Sequence, residues 1–514
     1  MQYFHKWSAV VAAAFSLYGY SAGANAQCSL TFTSPGRGST VSTPNIVVSG
    51  TGGGQSQLGD QGTVTATLNG VPFFNYSGSF TAAVAFLEGR GVPVTMRVGQ
   101  NRLSVTGSVG GCSASDDMTV LYEPATPAPK LAKALGNGRD DLGNNQACSV
   151  AGNPINFSVG NKYQEETDYE RKNSGFPLRF SRHYNSVSGD WTHSYSTRLR
   201  ITTSSTTLIF ADGRESVFSG SGVLTKESTE LGSLSQTASG YRYVAVGNEV
   251  YEFNSVGRLT KQTNAVGQSH SLVYAASGGV TVSDDYGNSL AFTEDSRLQP
   301  VSMTAPGATL SYSFGARQLL QSVTSTMGAD IKIRTYHYEN SLYPRLLTGI
   351  TDERGIRFAT WTYDSQGRPT SSTHADGAEA TTVAYNVDGT TTVTNALGKP
   401  TTYHFAVIDG VRRITQVVGE PTANCPMSNS TYTHDVRGLP ASKTDNNGNV
   451  TTYQYNDRGL ETLRVEASGT PSARSIATTW HATLPLITQI VKPENTTTFT
   501  YDAQGRLLTR TIND

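Results

Sequence analysis

Charged residues are scarce. Asp, Glu, Lys and Arg make up 15% of the 514 residues, and the formal net charge is −1, where an average soluble domain carries about 25% charged residues. A near-neutral chain without basic runs lacks the electrostatic footprint of a nucleic-acid binder. After the first 26 residues there is no run of 18 apolar residues, so no transmembrane helix is expected once a leader is removed. Only four cysteines occur and none forms a CxxC pair, which argues against zinc and thioredoxin-like redox chemistry. HExxH, GxSxG, a P-loop and a dinucleotide fingerprint are all missing. The nine histidines are scattered. The adjacent pairs Glu165/Glu166 and Asp284/Asp285 would point to opposite faces of a strand and so do not converge as a glycosidase pair. In Asp445-Asn446-Asn447-Gly448-Asn449 the glycine stands fourth rather than sixth, so an Asx-rich turn is expected there and not a calcium loop. The sequence therefore assigns no catalytic, cofactor or metal residue, and the chain reads as a non-enzyme.

What is present is apolar mass and turns. Apolar residues make up 37%, and there are 52 glycines and 25 tyrosines. This is enough to bury a core and to make disorder of the whole chain untenable. Near the start, Lys6 precedes an apolar run from Ala9, and Ala24-Asn25-Ala26 supplies a small-residue cleavage pattern. Residues 1–26 are thus expected to be a signal peptide, and the mature chain to be secreted or displayed on the cell surface. Export permits disulfides. A Cys28–Cys112 bridge is expected, while Cys148 and Cys425 either form a second bridge or remain thiols.

Residues 27–123 hold short alternating segments such as Val64-Thr65-Ala66-Thr67-Leu68, separated by Ser-Pro, Gly-rich and Asn-Gly turns, and predict a β-sandwich. Residues 124–147 are Pro-rich and then polar, which reads as a linker with one helical turn at Leu131–Leu135. Within 148–220, Leu178, Phe180, Arg182 and Tyr184 share one face of a strand, with Arg182 expected to stack or pair inside the sheet.

The rest repeats. Tyr363-Asp364-Ser365-Gln366-Gly367-Arg368 returns as Tyr501-Asp502-Ala503-Gln504-Gly505-Arg506. Looser copies place Phe253 before Gly257, Tyr385 before Gly389, Asp435 before Gly438 and Tyr455 before Gly459. The spacing from Tyr363 to Tyr385 is 22 positions, and a period of this size marks stacked supersecondary units. Asx followed three residues later by Gly predicts a type I turn closed by a left-handed residue, hence a β-hairpin. The aromatic ahead of it lies on a strand, where its face is buried. Lone hairpins are marginal, so these must pair edge to edge. Residues 221–350 carry a worn form of the repeat and 351–514 a clear one.

The repeat resembles the YD repeat of the bacterial RHS family, which is shared with toxin complexes and teneurins, and 148–220 resembles the segment that opens the repeat region there. The N-terminal module resembles Ig-like surface modules. The resemblance implies an all-β chain: an Ig-like sandwich, then YD hairpins building part of a curved β-shell. It further implies a non-enzymatic exported scaffold, the N-terminal part of a surface or toxin-delivery polypeptide. Its partners would be a C-terminal toxin or further repeats encoded elsewhere. The family's Asp-Pro core motif is missing. The alternative is an adhesin contacting surface glycans. No cofactor follows from either reading.

Overall fold

The computed structural model describes residues 29–41, 45–53, 61–79, 92–96, 99–109, 112–122, 131–136 and 149–514, apart from 172–174, 221, 277 and 421–428. The expected signal peptide and Cys28, Cys148 and Cys425 lie outside the described residues; Cys112 is disulfide-bonded. Strands dominate, and helical turns are short, including Leu131–Ala134.

Residues 29–122 form two sheets. One orders its strands Ser29–Ser34, Asn45–Gly53, Val92–Thr95; the other orders them Thr40–Val41, Cys112–Tyr122, Gly99–Val109, Gln61–Leu68, Val71–Ser79. Gln61–Leu68 alternates exposed and buried residues, as a strand with one core face must. Phe32, Val48, Val64, Val105, Met118 and Val120 form the core of this module.

A five-stranded sheet between Val150 and His193 and a four-stranded sheet between Arg198 and Lys226 come next. Then a single 26-stranded sheet runs from Ser233–Thr237 to Leu507–Asn513, each strand pairing with its neighbours in sequence. Its register is antiparallel throughout, and the sheet is open. The worn stretch 221–350 carries the same ladder as the clear repeats. It does so because Asn254, Asn264, Asp284 and Asp295 still cap their turns. At one of these turns Leu298 takes the glycine position with φ +63°.

Residues 150–218 do not join the long ladder. Among the described residues the backbone link is an Arg198–Arg258 bridge, with Leu199 N–H donating to the Gly257 carbonyl. The segment packs by side chains instead. Phe180, Tyr184 and Trp191 share a core with Phe292, Met303, Tyr336 and Trp361 of the long sheet. Phe157 continues that core against Val383, Tyr403 and Val417. The sheet thus has an inner face plugged by the segment that precedes it. It also curls back on itself, since a Cβ on Gly505 would lie 3.2 Å from Val266, and the segment leading into it joins this contact: Ser228 Oγ donates to Asp409 Oδ2 at 2.8 Å and approaches the Val436 carbonyl at 3.3 Å across 208 positions. Part of the expected linker is pinned rather than loose. Lys133 pairs with Glu227 and Glu230 at 3.1 Å, and Gly136 N–H donates to Asn185 Oδ1 at 3.0 Å.

Candidate functional site: the repeat turns and the plugged inner face

Most repeat turns are built on one carboxylate or amide oxygen at the Asx position; the turn after Tyr385 is the exception, where Asp388 Oδ1 accepts the Thr390 N–H at 2.9 Å and Asn386 donates to Thr390 Oγ1. Asp364 Oδ1 accepts the N–H groups of Gln366 and Arg368, both at 2.9 Å. Asp435 does the same for Arg437 and Leu439, Asn456 for Arg458 and Leu460, and Asp502 for Gln504 and Arg506. Asn serves as well as Asp because the acceptor oxygen, not the charge, closes the turn. Gly257, Gly367, Gly389, Gly438, Gly459 and Gly505 follow with φ between +74° and +83°, the region glycine enters without a Cβ penalty. The repeat arginine is spent locally: Arg368 Nε donates to Asp364 Oδ2 at 2.8 Å and its guanidinium lies 4.2 Å from the Tyr385 ring, and Arg506 bonds Asp502 at 2.6 Å.

The tyrosines have a task that the sequence reading missed. Tyr363 OH donates to the Leu347 carbonyl at 2.6 Å, Tyr385 OH to Pro369 at 3.0 Å and Tyr501 OH to Ile487 at 2.8 Å. Each acceptor lies 14 to 16 positions earlier, in the preceding repeat. Trp480 Nε1 donates to the Glu461 carbonyl at 2.7 Å, filling the slot of a repeat whose Asp and Gly are lost. Phe253, lacking a hydroxyl, is simply buried; Tyr455 pairs with Glu461 in the ladder at the bulge. Burial holds the Tyr363 hydroxyl well above the ordinary phenol range, so it stays a donor.

The plug contributes buried charge. On Asn161–Glu170, Lys162, Gln164, Glu166 and Asp168 alternate with period two, a signal that was readable in the sequence. Lys162 Nζ donates to the Asn153 carbonyl and Gln164 Oε1, each at 2.7 Å, and to the Tyr163 carbonyl. It lies 4.1 Å from the Trp361 ring. Burial pushes its pKa well down, against the pull of Glu166. Gln164 bonds Glu166 at 2.8 Å, and Glu166 pairs with Arg334 of the long sheet. Arg182 grips Asp168 through two bonds of 2.6 and 2.9 Å, accepts no exposure, and donates to Tyr336 OH at 2.7 Å with Trp191 stacked 4.8 Å away. This is the stacked and paired role expected for it.

Two histidines complete the contact. His193 Nδ1 accepts the Tyr195 N–H at 3.3 Å, which leaves Nε2–H to donate to Glu294 at 2.8 Å. His270 stacks on Phe176 at 4.0 Å and donates from Nε2 to its carbonyl at 3.2 Å. Burial lowers both pKa values, and for His193 it outweighs the opposing Glu294. His434 occupies a repeat aromatic slot, and burial together with Arg413 pushes it down to about 4. Glu165 and Glu166 separate to opposite faces, toward Arg179 and Arg334. Asp445 is an Asx turn, accepting Asn447 and Asn449 N–H at 2.9 Å. Among the described residues no group of three His, Cys, Asp or Glu could hold a metal. A cleft of about 70 Å³ beside Arg37, Asp117, Asp190 and Arg345 is small against the roughly 300–1,000 Å³ of ligand pockets. Most of these polar groups are bonded to one another, while Arg182 Nη1 and Asn153 Nδ2 are buried without a partner among the described residues.

Comparison with known proteins adds names to this geometry. Residues 346–379 and 434–471 match the RHS Repeat model, and 152–218 match a domain of unknown function, DUF6531. No curated protein sequence matches. Among solved structures, TcdB2–TccC3 without its hypervariable C-terminal region is 12% identical over 70% of this chain and 22% of that one, with a TM-score of 0.28. A Photorhabdus luminescens Tc holotoxin pore is 12% identical over 68% and 20%, also with a TM-score of 0.28. The chain therefore spans about a fifth of the length of either. Two stretches fitting one repeat model, on turns that close with the same Asx and glycine bonds, make this chain an RHS/YD-repeat protein.

Proposed function

We propose that this chain is an exported, non-enzymatic wall segment of a toxin-associated RHS assembly, whose sheet helps to enclose a payload carried on another polypeptide or a further part of the same one. The observation that carries this reading is the open, curling 26-stranded sheet with a plugged inner face. Such a sheet is a container wall in form, and its buried charges are committed to holding the plug. Leu507–Asn513 is exposed along its whole length and pairs with Thr496–Tyr501. The toxin-complex likeness suggests the payload class.

Limited proteolysis with mass spectrometry of the exported chain tests the wall. The expected products are a mature N-terminus at Gln27 and a resistant core over roughly residues 149–514. Rapid digestion of the repeats to small peptides would sink the reading. The strand order of residues 29–122, with the first, third and sixth strands facing the rest, supports an Ig-like module. In the second reading that module contacts surface glycans. A glycan array with this module alone separates the two, since binding there would favour an adhesin.

A further inference from the structure

One strand of the long sheet is only half paired on one side. Asp330–His337 pairs with Leu320–Met327 from Met327↔Asp330 to Ser322↔Thr335. On its other side the strand Gly349–Thr351 meets only Thr335, Tyr336 and His337. The backbone of Asp330–Arg334 is thus an open edge in the middle of the wall, and Ile331 and Ile333 stand 66% and 52% exposed upon it.

We propose that Asp330–Arg334 is an association edge for a second copy of this chain, the two strands pairing antiparallel about a two-fold axis through Lys332. The chemistry of the edge selects that occupant. The His337 carbonyl, on the open side, accepts Thr348 N–H. Backbone groups alternate sides along a strand, so Ile333 and Ile331 also turn their N–H and C=O groups toward the gap. An antiparallel copy centred on Lys332 sets Ile331 opposite Ile333 of the second copy, twice. These become the hydrogen-bonded pairs, joined by four main-chain bonds, with the four isoleucines together on one face. Asp330 falls opposite Arg334 of the second copy, also twice. Arg334 keeps its bonds to Glu353 at 3.0 Å and to Glu166, and its fork can share. Lys332 meets its own copy. A lysine at the centre of an edge discourages pairing, so the dimer is weak. An isologous contact of this kind closes and does not propagate.

Because residue 332 lies on the axis, it gives a test that no other surface passes. Sedimentation velocity is measured on the mature chain, on Lys332→Glu, and on their mixture. The mixture is expected to form a heterodimer about tenfold tighter than either homodimer, since Lys opposite Glu replaces the one like-charge pair on the axis. The double variant Ile331→Lys/Ile333→Lys is expected to be monomeric with an unchanged thermal midpoint, as both side chains are exposed. A mixture no tighter than its parents, a chain that stays monomeric in every sample, or a dimer that survives the double lysine change each overturns the proposal.

Discussion

At the residue scale the repeat works through two oxygens. The Asx oxygen is local, binding N–H groups two and four residues on, so Asx and Gly three positions apart were enough to read the hairpin from the sequence. The tyrosine hydroxyl reaches a carbonyl in the preceding repeat, and nothing within one repeat discloses its acceptor. Tyr363→Phe keeps the ring and loses the 2.6 Å bond to Leu347, leaving a buried acceptor unmet. We expect the opening free energy of Arg357–His374, measured by native-state hydrogen exchange, to fall by about 1–2 kcal/mol. An unchanged value would make the tyrosine a packing residue only. Leu298 shows the converse case. A leucine holds the glycine slot there, and the backbone keeps the turn, with Leu298 N–H on the Asp295 carbonyl at 3.0 Å. A left-handed non-glycine residue carries about 1–2 kcal/mol of strain, so Leu298→Gly is expected to raise the local opening free energy of Ser289–Ala305 by roughly 1 kcal/mol after the entropy that glycine adds to the unfolded chain. A loss instead would mean that the partly buried leucine side chain matters more than its backbone.

At the element scale the question is what holds the plug. The strand at Leu178–Tyr184 was legible from its period of two, and so was the role of Arg182. Its seat was not, because Asp168 lies on the paired neighbouring strand but Tyr312 and Tyr336 come from the long sheet, and only the fold brings them to Arg182. The pair is buried, so removing one member strands the other. Asp168→Leu is expected to destabilise the plug by about 3–5 kcal/mol, and the double variant Asp168→Leu/Arg182→Met by clearly less. Equal losses would show that the aromatic stack, not the charge pairing, sets the cost. The histidines add a pH dependence with a definite sign. His193 and His270 have folded pKa values depressed below the ordinary imidazole value. Their contribution is whole above about pH 6.5 and is lost as the pH falls from there. His193 faces Glu294, Arg258 and Arg198, and His270 faces Asp284 and Asp285, so the acidic neighbours temper the loss without reversing it. Protection factors across Asn161–Asn185, which remove the pH dependence of intrinsic exchange, are expected to fall between pH 6.5 and 5 before those of the outer strands do. A uniform change over the whole sheet would deny the plug a separate response.

At the scale of the molecule the sheet is one ladder with two kinds of support. Its class was legible because a repeat of about twenty-one residues leaves few alternatives; its plug and its curl were not, because they join residues hundreds of positions apart. A ladder whose units touch only their neighbours opens from wherever it is weakest. From Leu234 to Val417 the inner face is covered by residues 150–218 and buries aromatic and aliphatic side chains against them. From Ser430 to Asn513 the strands are largely half-buried, and the last one is exposed throughout. What steadies that part is the contact of the curl, where Ser228 reaches the Val436 carbonyl and where a Cβ on Gly459 would meet Leu231. Two consequences can be measured together. Native-state exchange is expected to fall into two groups, with the strands after Ser430 opening at lower free energy than those over the plug. Asp409→Ala, which removes two bonds from Ser228, is expected to lower the opening free energy of its own hairpin, Pro400–Gly419, by about 1 kcal/mol and to leave Val280–Tyr312 unmoved. Should the change spread evenly over both stretches, the sheet would be a single cooperative unit and the curl would carry no separate share of its stability.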